Sequence, residues 1–168
     1  MKILDVGCGQ NKEINAVGID NNPLSHADVI HNLDLYPWPF SDNSFNKIIC
    51  RHIVEHIADP VAFMNELHRV AAPRCHIEII TPHFTNPCSF WDPTHKHHFS
   101  LFSFDYFLTS NKFKQGFWSR FFETKYPIPS FYSSKKFKKL SSKLTFGRLH
   151  RWLGLQWLFS RIPYFYEF

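Results

Sequence analysis

The chain has 168 residues, of which 44% are hydrophobic and 20% charged, and this composition fits one folded domain and excludes a disordered chain. Its four cysteines are widely spaced and form no CxxC pair, and the three that lie beside apolar or glycine-rich strand segments are interpreted as small hydrophobic residues in a reducing setting. The net charge of +5 is divided unevenly, with −5 over residues 1–110 and +10 over residues 111–168. The basic part suits an anionic partner and equally suits a solvated helix face.

Five short apolar segments in the first half of the chain predict buried strands. They cover residues 2–6, 16–20, 27–31, 46–50 and 75–81. Between the last two, residues 60–70 carry apolar side chains at helical spacing and predict a helix. Strands that alternate with loops and helices in this order predict an α/β fold with a doubly wound, mostly parallel sheet.

The second half of the chain is less regular. Residues 82–131 are rich in Pro, His and aromatic side chains, and we expect them to form a cap or the wall of an acceptor pocket. Residues 132–168 are basic, and apolar residues at helical spacing predict one or two amphipathic helices between residues 133 and 159. The final antiparallel strand pair is expected to be incomplete, because residues 121–125 offer one strand without an evident partner. We therefore expect a single domain over residues 1–168, with a cofactor-binding core at 1–81.

A glycine loop follows the first predicted strand. Gly7 and Gly9 allow positive φ there and let a ligand approach the bare backbone. The second strand ends in Asp20, whose carboxylate is placed to accept both hydroxyls of a ribose. A dinucleotide site would need a third glycine at position 12, which is Lys12. Asp20 follows Gly9 by only eleven positions, which leaves little room for the usual crossover helix, so NAD is disfavoured.

Four ordered motifs resemble those of class I S-adenosylmethionine-dependent methyltransferases, and the short-crossover members similar to the methyltransferase type 11 group match best. The motifs are residues 4–9 (LDVGCG), 17–20 (VGID), 39–45 (PFSDNSF) and 53–57 (IVEHI), and the resemblance extends over roughly residues 2–107. It implies a Rossmann-like methyltransferase fold with S-adenosyl-L-methionine as cofactor. This cofactor has no phosphate to cradle, so it tolerates the short crossing between the first two strands.

The resemblance also implies roles for residues around the cofactor. Asp5 would hold the amino group of the methionine part, Asp20 the ribose hydroxyls and Asp34 the adenine amino group. His52, just past the fourth strand, would lie near the methionyl end. Asn11 replaces the third glycine of the fuller pattern, and asparagine can still adopt a left-handed turn. The implied cofactor-binding set is Asp5, Gly7, Cys8, Gly9, Asp20, Asn21, Asp34, the backbone N–H of Leu35, and His52.

A histidine-rich segment follows the fifth predicted strand and emerges at the carboxyl edge of the sheet, beside the expected cofactor. His95, His97 and Asp92 are therefore candidates to orient an acceptor or to remove its proton. The same side chains also suit a metal that positions the acceptor's oxygens, or a polar lid with only local hydrogen bonds. The favoured interpretation assigns no metal.

Residues 52–56 (HIVEH) have a second interpretation, the H-x-x-E-H pattern of inverted zinc peptidases. On a helix, His52 and His56 would share a zinc ion while Glu55 activates water. No downstream segment clearly offers an acidic third ligand, so a zinc hydrolase is a remote alternative. A nearer alternative is a cofactor-binding module without activity.

The favoured function is transfer of a methyl group from S-adenosylmethionine to a small-molecule or glycan-like acceptor. The basic aromatic pattern of residues 133–161 suits contact with a membrane surface, whereas no recognition motif supports nucleic acid as a partner. Strand-like sequence begins at residue 3, so no signal peptide is indicated and a cytoplasmic protein is expected. The acceptor, the methylated atom and the oligomeric state are left open.

Overall fold

The computed structural model describes residues 1–109, 133 and 136–143, together with the backbone of residues 145–146 and 160–167. Its centre is one eight-stranded sheet in the order β3-β2-β1-β4-β5-β8-β6, with β7 paired to β8. The strands are β1 (Ile3–Val6), β2 (Ala16–Asp20), β3 (Val29–Ile30), β4 (Phe45–Arg51), β5 (Ala71–Pro82), β6 (Lys138–Ser142), β7 (Thr145–Phe146) and β8 (Ser160–Glu167). The helices are α1 (Pro60–Val70) and α2 (Cys88–Trp91), and 3-10 turns cover Val54–His56 and Ser103–Phe107.

The first five strands are parallel, and β8 runs antiparallel to each of its partners, β5, β6 and β7. From β1 the chain adds β2 and β3 on one side, and then β4 and β5 on the other side. This confirms the predicted doubly wound α/β fold. The reversal lies between β1 and β4, where Val6 is level with Cys50. In open parallel sheets of this kind, ligands bind at the carboxyl ends of the strands at such a reversal.

The buried stretches of the parallel strands are apolar, as is usual for strands of a parallel sheet. In β4, Ile48, Ile49 and Cys50 are completely buried. Helix α1 packs on the sheet and buries its apolar stripe, which comprises Phe63, Met64, Leu67 and Val70. Its start is set by Asp59, whose carboxylate accepts hydrogen bonds from the next backbone N–H groups, and by Pro60 in the first turn. The bounds agree with the predicted helix.

The crossing from β1 to β2 contains no helix, as its shortness predicts. Instead, the loop lies directly over Gly18 of β2. A Cβ at Gly18 would come 2.7 Å from Lys12 Cδ and 2.8 Å from Cys8 Sγ. Lys12 is held there by an ion pair of 2.8 Å with Asp28. Asn11 does not use the left-handed turn that is open to asparagine, and the non-glycine residue with positive φ in this loop is Asn15 (φ 61°).

The predicted basic helices between residues 133 and 159 are wrong over residues 138–142, which form β6 at the edge of the sheet. The expected incompleteness of the final antiparallel pair is also wrong, since β8 pairs with β5 over seven positions and with β6. The physical reason is that hydrogen bonds to β8 outweigh a local helical spacing that rests on few apolar residues. Residues 121–125, offered as a strand, and much of the stretch 143–159 lie outside the described residues.

Residues 83–109 form the described part of the expected cap. Phe99 and Phe104 stack at 5.1 Å between ring centroids, and both are buried with Phe107 in the core cluster. The cap is therefore anchored by its own aromatic side chains to the layer under the sheet. Within the described part of the chain, none of the helices has the length and apolarity that crossing a bilayer requires.

Candidate functional site

The two glycines after β1 share a left-handed backbone but have different surroundings. Gly7 has φ 68°, and a Cβ there would lie 2.6 Å from Ile53 Cγ1. Gly9 has φ 51°, and no atom lies within 4 Å of its Cβ position. Gly7 is thus a packing requirement, whereas Gly9 presents bare backbone to open space. The Cβ position of Gly9 therefore leaves room for a ligand to approach the backbone.

Asp20, at the carboxyl end of β2, closes this loop. One carboxylate oxygen accepts a hydrogen bond from Gly9 N at 2.8 Å, and the other accepts one from Asn22 N at 2.8 Å. Each carboxylate oxygen has two lone pairs, so each keeps capacity for one further donor. That remaining capacity matches the two hydroxyls of a ribose. Asn21, beside it, is exposed.

Asp5 is buried inside the same loop, with 3% of its surface exposed. Its carboxylate accepts a hydrogen bond of 2.7 Å from Glu13 N, which fixes the far end of the crossing. Burial raises the pKa of Asp5 above its ordinary value, and the nearby Arg51 guanidinium opposes this. Cys8 is also buried, and burial with the two neighbouring carboxylates raises the pKa of its thiol to about 11. The side chain of Cys8 is therefore an unreactive packing group, and its backbone is part of the loop.

Asp34 connects the third strand to the cap. Its carboxylate accepts hydrogen bonds from Ala58 N at 2.9 Å and from Lys96 Nζ at 3.3 Å. Leu35 is 60% exposed, and its N–H donates to Asn32 O at 2.9 Å. The two residues expected at the adenine therefore lie on an exposed turn, with their polar groups already engaged by the protein. Sequence reasoning missed Lys96, because nothing local relates it to Asp34.

His52 occupies the strained position directly after β4, with φ 54°. Its backbone N–H donates to Ile80 O at 2.8 Å, and its Nδ1 lies 3.4 Å from Glu55 Oε1. The positive φ interrupts the helix on which His52 and His56 would share a zinc ion; only the one-turn Val54–His56 forms. The H-x-x-E-H geometry predicted for the zinc hydrolase is therefore absent.

A cleft of about 640 Å³ opens at the carboxyl ends of β4 and β5, next to His52. Two of the three predicted catalytic residues, Asp92 and His95, line it. His97 is not among the lining residues, since its Nε2 lies 3.4 Å from Ala58 O and its ring lies against Phe99. The remaining lining residues are Glu55, His56, Pro82, Asn86, Cys88, Trp91 and Pro93.

Thr94, which sequence reasoning did not single out, joins the cap to the turn after β4. Its hydroxyl oxygen lies 2.6 Å from Asp92 Oδ1 and 2.9 Å from His56 Nδ1. The side-chain and backbone hydrogen bonds from Thr94 lower the pKa of Asp92 below its ordinary value. His95 Nδ1 lies 2.9 Å from Ser89 O, so this nitrogen carries the proton and Nε2 keeps its lone pair. These contacts hold both imidazoles in fixed orientations.

Glu55 lies beneath the cleft, with 1% of its surface exposed. Thr81 donates a hydrogen bond of 3.0 Å to its Oε2, whereas its Oε1 has no hydrogen-bond partner. The backbone carbonyl of Glu55 accepts from Lys96 N at 2.8 Å, which ties the cap to this turn. Among the described residues, Glu55 is thus a buried acid that the expected methyltransferase site does not explain.

Comparisons with known proteins agree with this geometry. Residues 4–79 match a family model described as a methyltransferase domain, the methyltransferase type 11 model. A comparison with curated protein sequences finds no significant match.

Solved structures show the same fold at low sequence identity. An S-adenosylmethionine-dependent methyltransferase from Archaeoglobus fulgidus is similar with a TM-score of 0.59 and 15% identity, covering 99% of this chain and 86% of that one. One from Mesorhizobium loti has a TM-score of 0.61 and 10% identity, covering 99% and 90%. A Haloferax volcanii protein, solved in complex with the Trm112 methyltransferase activator, has a TM-score of 0.59 and 10% identity, covering 99% and 81%. Residues 4–79 are thus similar to a methyltransferase domain, and the sheet that contains them has the fold of solved S-adenosylmethionine-dependent methyltransferases.

Proposed function

We propose that the chain transfers a methyl group from S-adenosylmethionine to a small-molecule or glycan-like acceptor held in the cleft beside His52. The observation that carries this proposal is the position of the cleft. It opens at the carboxyl ends of β4 and β5, and β4 is the neighbour of β1, the strand that leads into the glycine loop, so cofactor and acceptor would meet at the reversal of the sheet. The bound cofactor supplies an electrophilic methyl group on a sulfonium.

The cofactor site proposed here is built from the loop and strand ends already described. Gly9 offers the open backbone, and Asp20 offers the spare acceptor capacity for ribose hydroxyls. Lys96 of the cap donates a hydrogen bond to the carboxylate of Asp34, and this contact joins the cap to the adenine end of the proposed site. The proposed cofactor contacts are Asp5, Gly7, Cys8, Gly9, Asp20, Asn21, Asp34, Leu35 and His52.

The acceptor class is argued from the cleft. Its volume of about 640 Å³ falls within the range of small-ligand pockets, roughly 300–1,000 Å³. Trp91, 75% exposed, gives a flat apolar surface beside the polar side chains of Asn86 and Asp92. An aromatic face next to hydrogen-bonding groups suits a ring that carries hydroxyls. His95 Nε2 is then placed to orient an acceptor hydroxyl or to take its proton, and His97 stays a sequence prediction.

Binding of the demethylated cofactor, S-adenosylhomocysteine, measured by calorimetry tests the proposed site. We expect one site per chain, and we expect Asp20→Asn to weaken binding at least tenfold, because the amide loses one acceptor. Asp42→Asn is the control, since Asp42 is exposed and far from the glycine loop. No binding by the wild-type protein would contradict the proposal.

Activity is tested separately, by following radioactive methyl transfer to a panel of hydroxylated small molecules and oligosaccharides. Transfer to one acceptor class that falls in the Asp20→Asn variant would support the proposal. Cofactor binding without transfer to any of these acceptors would instead favour a binding module and would overturn the acceptor assignment.

A further inference from the structure

A cluster of three side chains at the edge of the cleft joins His95 to two residues that have no role in the proposed transfer of the methyl group. Glu55, His56 and His95 each place one potential ligand atom within 4.8 Å of the others. Two of them come from the turn after β4, and the third comes from the cap. Glu55 is buried, and the side chain of His95 is 8% exposed, so the cluster is partly shielded from water.

Only one of the two carboxylate oxygens of Glu55 accepts a hydrogen bond from the described residues. Its Oε2 accepts from Thr81 Oγ1 at 3.0 Å, but its Oε1 is buried with no hydrogen-bond partner among the described residues. His52 Nδ1 lies 3.4 Å from this oxygen and does not make a hydrogen bond with it. A buried carboxylate oxygen left without a partner costs free energy, and a bound cation would remove that cost.

Both imidazoles are oriented as metal ligands usually are. His95 Nδ1 donates to Ser89 O at 2.9 Å. Thr94 Oγ1 donates its hydrogen to Asp92, at 2.6 Å, so it accepts from His56 Nδ1 at 2.9 Å. Each ring therefore keeps the lone pair of Nε2, and metal-binding histidines characteristically donate their other N–H in this way. The rings meet edge to face, with centroids 4.6 Å apart.

We propose that Glu55, His56 and His95 bind one divalent transition-metal ion, and that zinc fits the ligand set best. Two neutral imidazoles and one carboxylate form a ligand set that zinc enzymes use when a fourth position is left open. Because all three residues line the cleft, the open position faces it. An oxygen atom of a molecule bound in the cleft would take this fourth position, so the ion would be a second group that holds the acceptor.

This site differs from the H-x-x-E-H interpretation of the sequence. His95, more than 35 positions along the chain, takes the place of His52, whose left-handed backbone turns it away from a shared helix face. A metal on His95 Nε2 would also exclude that nitrogen from acting as a base. The inference concerns metal binding alone and does not depend on methyl transfer.

Metal-free protein titrated with zinc by calorimetry, and with cobalt by visible absorption, tests the inference. We expect one ion per chain and cobalt bands typical of four or five ligands. His95→Ala and Glu55→Gln should each weaken zinc binding at least a hundredfold. Thr94→Val, which leaves the three ligands in place and removes the support of His56, should weaken it about 10–100-fold. His76→Ala removes an exposed imidazole at the opposite end of the sheet and should have no effect.

Zinc affinity in His95→Ala equal to that of the wild-type protein would overturn the inference, as would an equal loss in His76→Ala. Far-UV circular dichroism and S-adenosylhomocysteine binding are measured on every variant, so that loss of metal is separated from loss of fold. Intact S-adenosylhomocysteine binding in a protein that binds no zinc would overturn the metal site and leave the proposed methyltransferase function standing.

Discussion

At the scale of single residues, the loop after β1 shows how one backbone conformation serves two purposes. Gly7 has no room for a side chain because Ile53 covers it, whereas Gly9 faces open space. Both have positive φ, which costs any L-residue about 1–2 kcal/mol. The packing role and the binding role of the loop can therefore be separated by substitution.

Gly9→Ala should fold with a loss of about 1–2 kcal/mol in the free energy of unfolding and should bind S-adenosylhomocysteine at least tenfold more weakly. Gly7→Ala should lose about 2–4 kcal/mol, because contact with Ile53 adds to the backbone strain. Urea denaturation and calorimetry measure the two effects. Wild-type cofactor affinity in Gly9→Ala would contradict the open-backbone assignment.

Asp5 in β1 and Asp28 just before β3 both contact the crossing between β1 and β2, and their pKa values are shifted in opposite directions. Burial raises the pKa of Asp5 above 3.8, so the folded state favours the protonated carboxyl. The stability that protonated Asp5 contributes is present at low pH and is lost as the pH rises through the folded-state pKa, and ionised Asp5 then lowers the stability of the fold. The hydrogen bonds from Lys12 and Gly18 lower the pKa of Asp28, so its contribution is present above pH 3.8 and is lost as pH falls through the folded-state pKa.

Asp5→Asn should therefore stabilise the cofactor-free protein at pH 7, and the gain should disappear towards pH 3.8, where Asp5 of the wild type becomes neutral. Asp28→Asn should destabilise it at pH 7, with a difference that shrinks as the pH falls below 3.8. Urea unfolding at several pH values measures both. The same Asp5→Asn variant should bind the cofactor less well if Asp5 holds the amino group, so a gain in stability would accompany a loss of binding.

At the scale of elements, helix α1 also fixes the loop that precedes β4. Glu66 accepts hydrogen bonds from Trp38 N at 2.6 Å and from Arg69, whose guanidinium in turn donates to Trp38 O and Phe40 O. The side chain of Glu66 is 6% exposed, and its partner Arg69 is 24% exposed. Asp42, the other acid on Arg69, is 69% exposed. The two ion pairs therefore differ mainly in burial.

Glu66→Ala should lower the free energy of unfolding by about 3–5 kcal/mol, because it leaves a partly buried guanidinium and the Trp38 N–H without this acceptor. Asp42→Ala removes an exposed partner of the same Arg69 and should cost less than about 1 kcal/mol. Both free energies of unfolding are measured by urea denaturation. Equal losses in the two variants would show that burial does not decide how much each ion pair contributes to stability.

At the scale of the whole molecule, the sheet is assembled from regions of opposite charge. The acidic first part supplies β1 to β5, and the basic last part supplies β6 to β8. Lys139 of β6 pairs with Asp105 of the cap at 2.7 Å. Because β6 is an edge strand and not an amphipathic helix, a membrane contact through residues 133–161 would depend on charge more than on an inserted apolar face.

The protein should therefore sediment with vesicles that contain phosphatidylserine at about 0.01 M salt and should be released at about 1 M salt, where charges are screened within about 3 Å. Vesicles of phosphatidylcholine alone serve as the control. Sedimentation that persists at high salt would indicate apolar insertion instead, and no sedimentation at low salt would remove the membrane hypothesis.

The sequence predicted the parallel half of the fold because buried parallel strands are apolar runs, and because Asp59 and Pro60 mark the start of α1. It did not predict β6 and β8, whose pairing depends on partners far along the chain. The glycine loop and Asp20 could be recognised from local spacing. The pairing of Glu55 with Thr81, and the chain from His56 through Thr94 to Asp92, could not, because their members meet only after folding.

The strand order has a consequence for synthesis. Strand β8 is the last of the strands along the chain, yet it lies between β5 and β6. A nascent chain that has completed β5 therefore has no partner for one side of that strand until residues 160–167 leave the ribosome. During this interval the exposed edge of β5 is a template for pairing with another chain. Chaperone dependence should consequently be greatest while residues 83–167 are being translated, about 4–17 seconds at ordinary elongation rates.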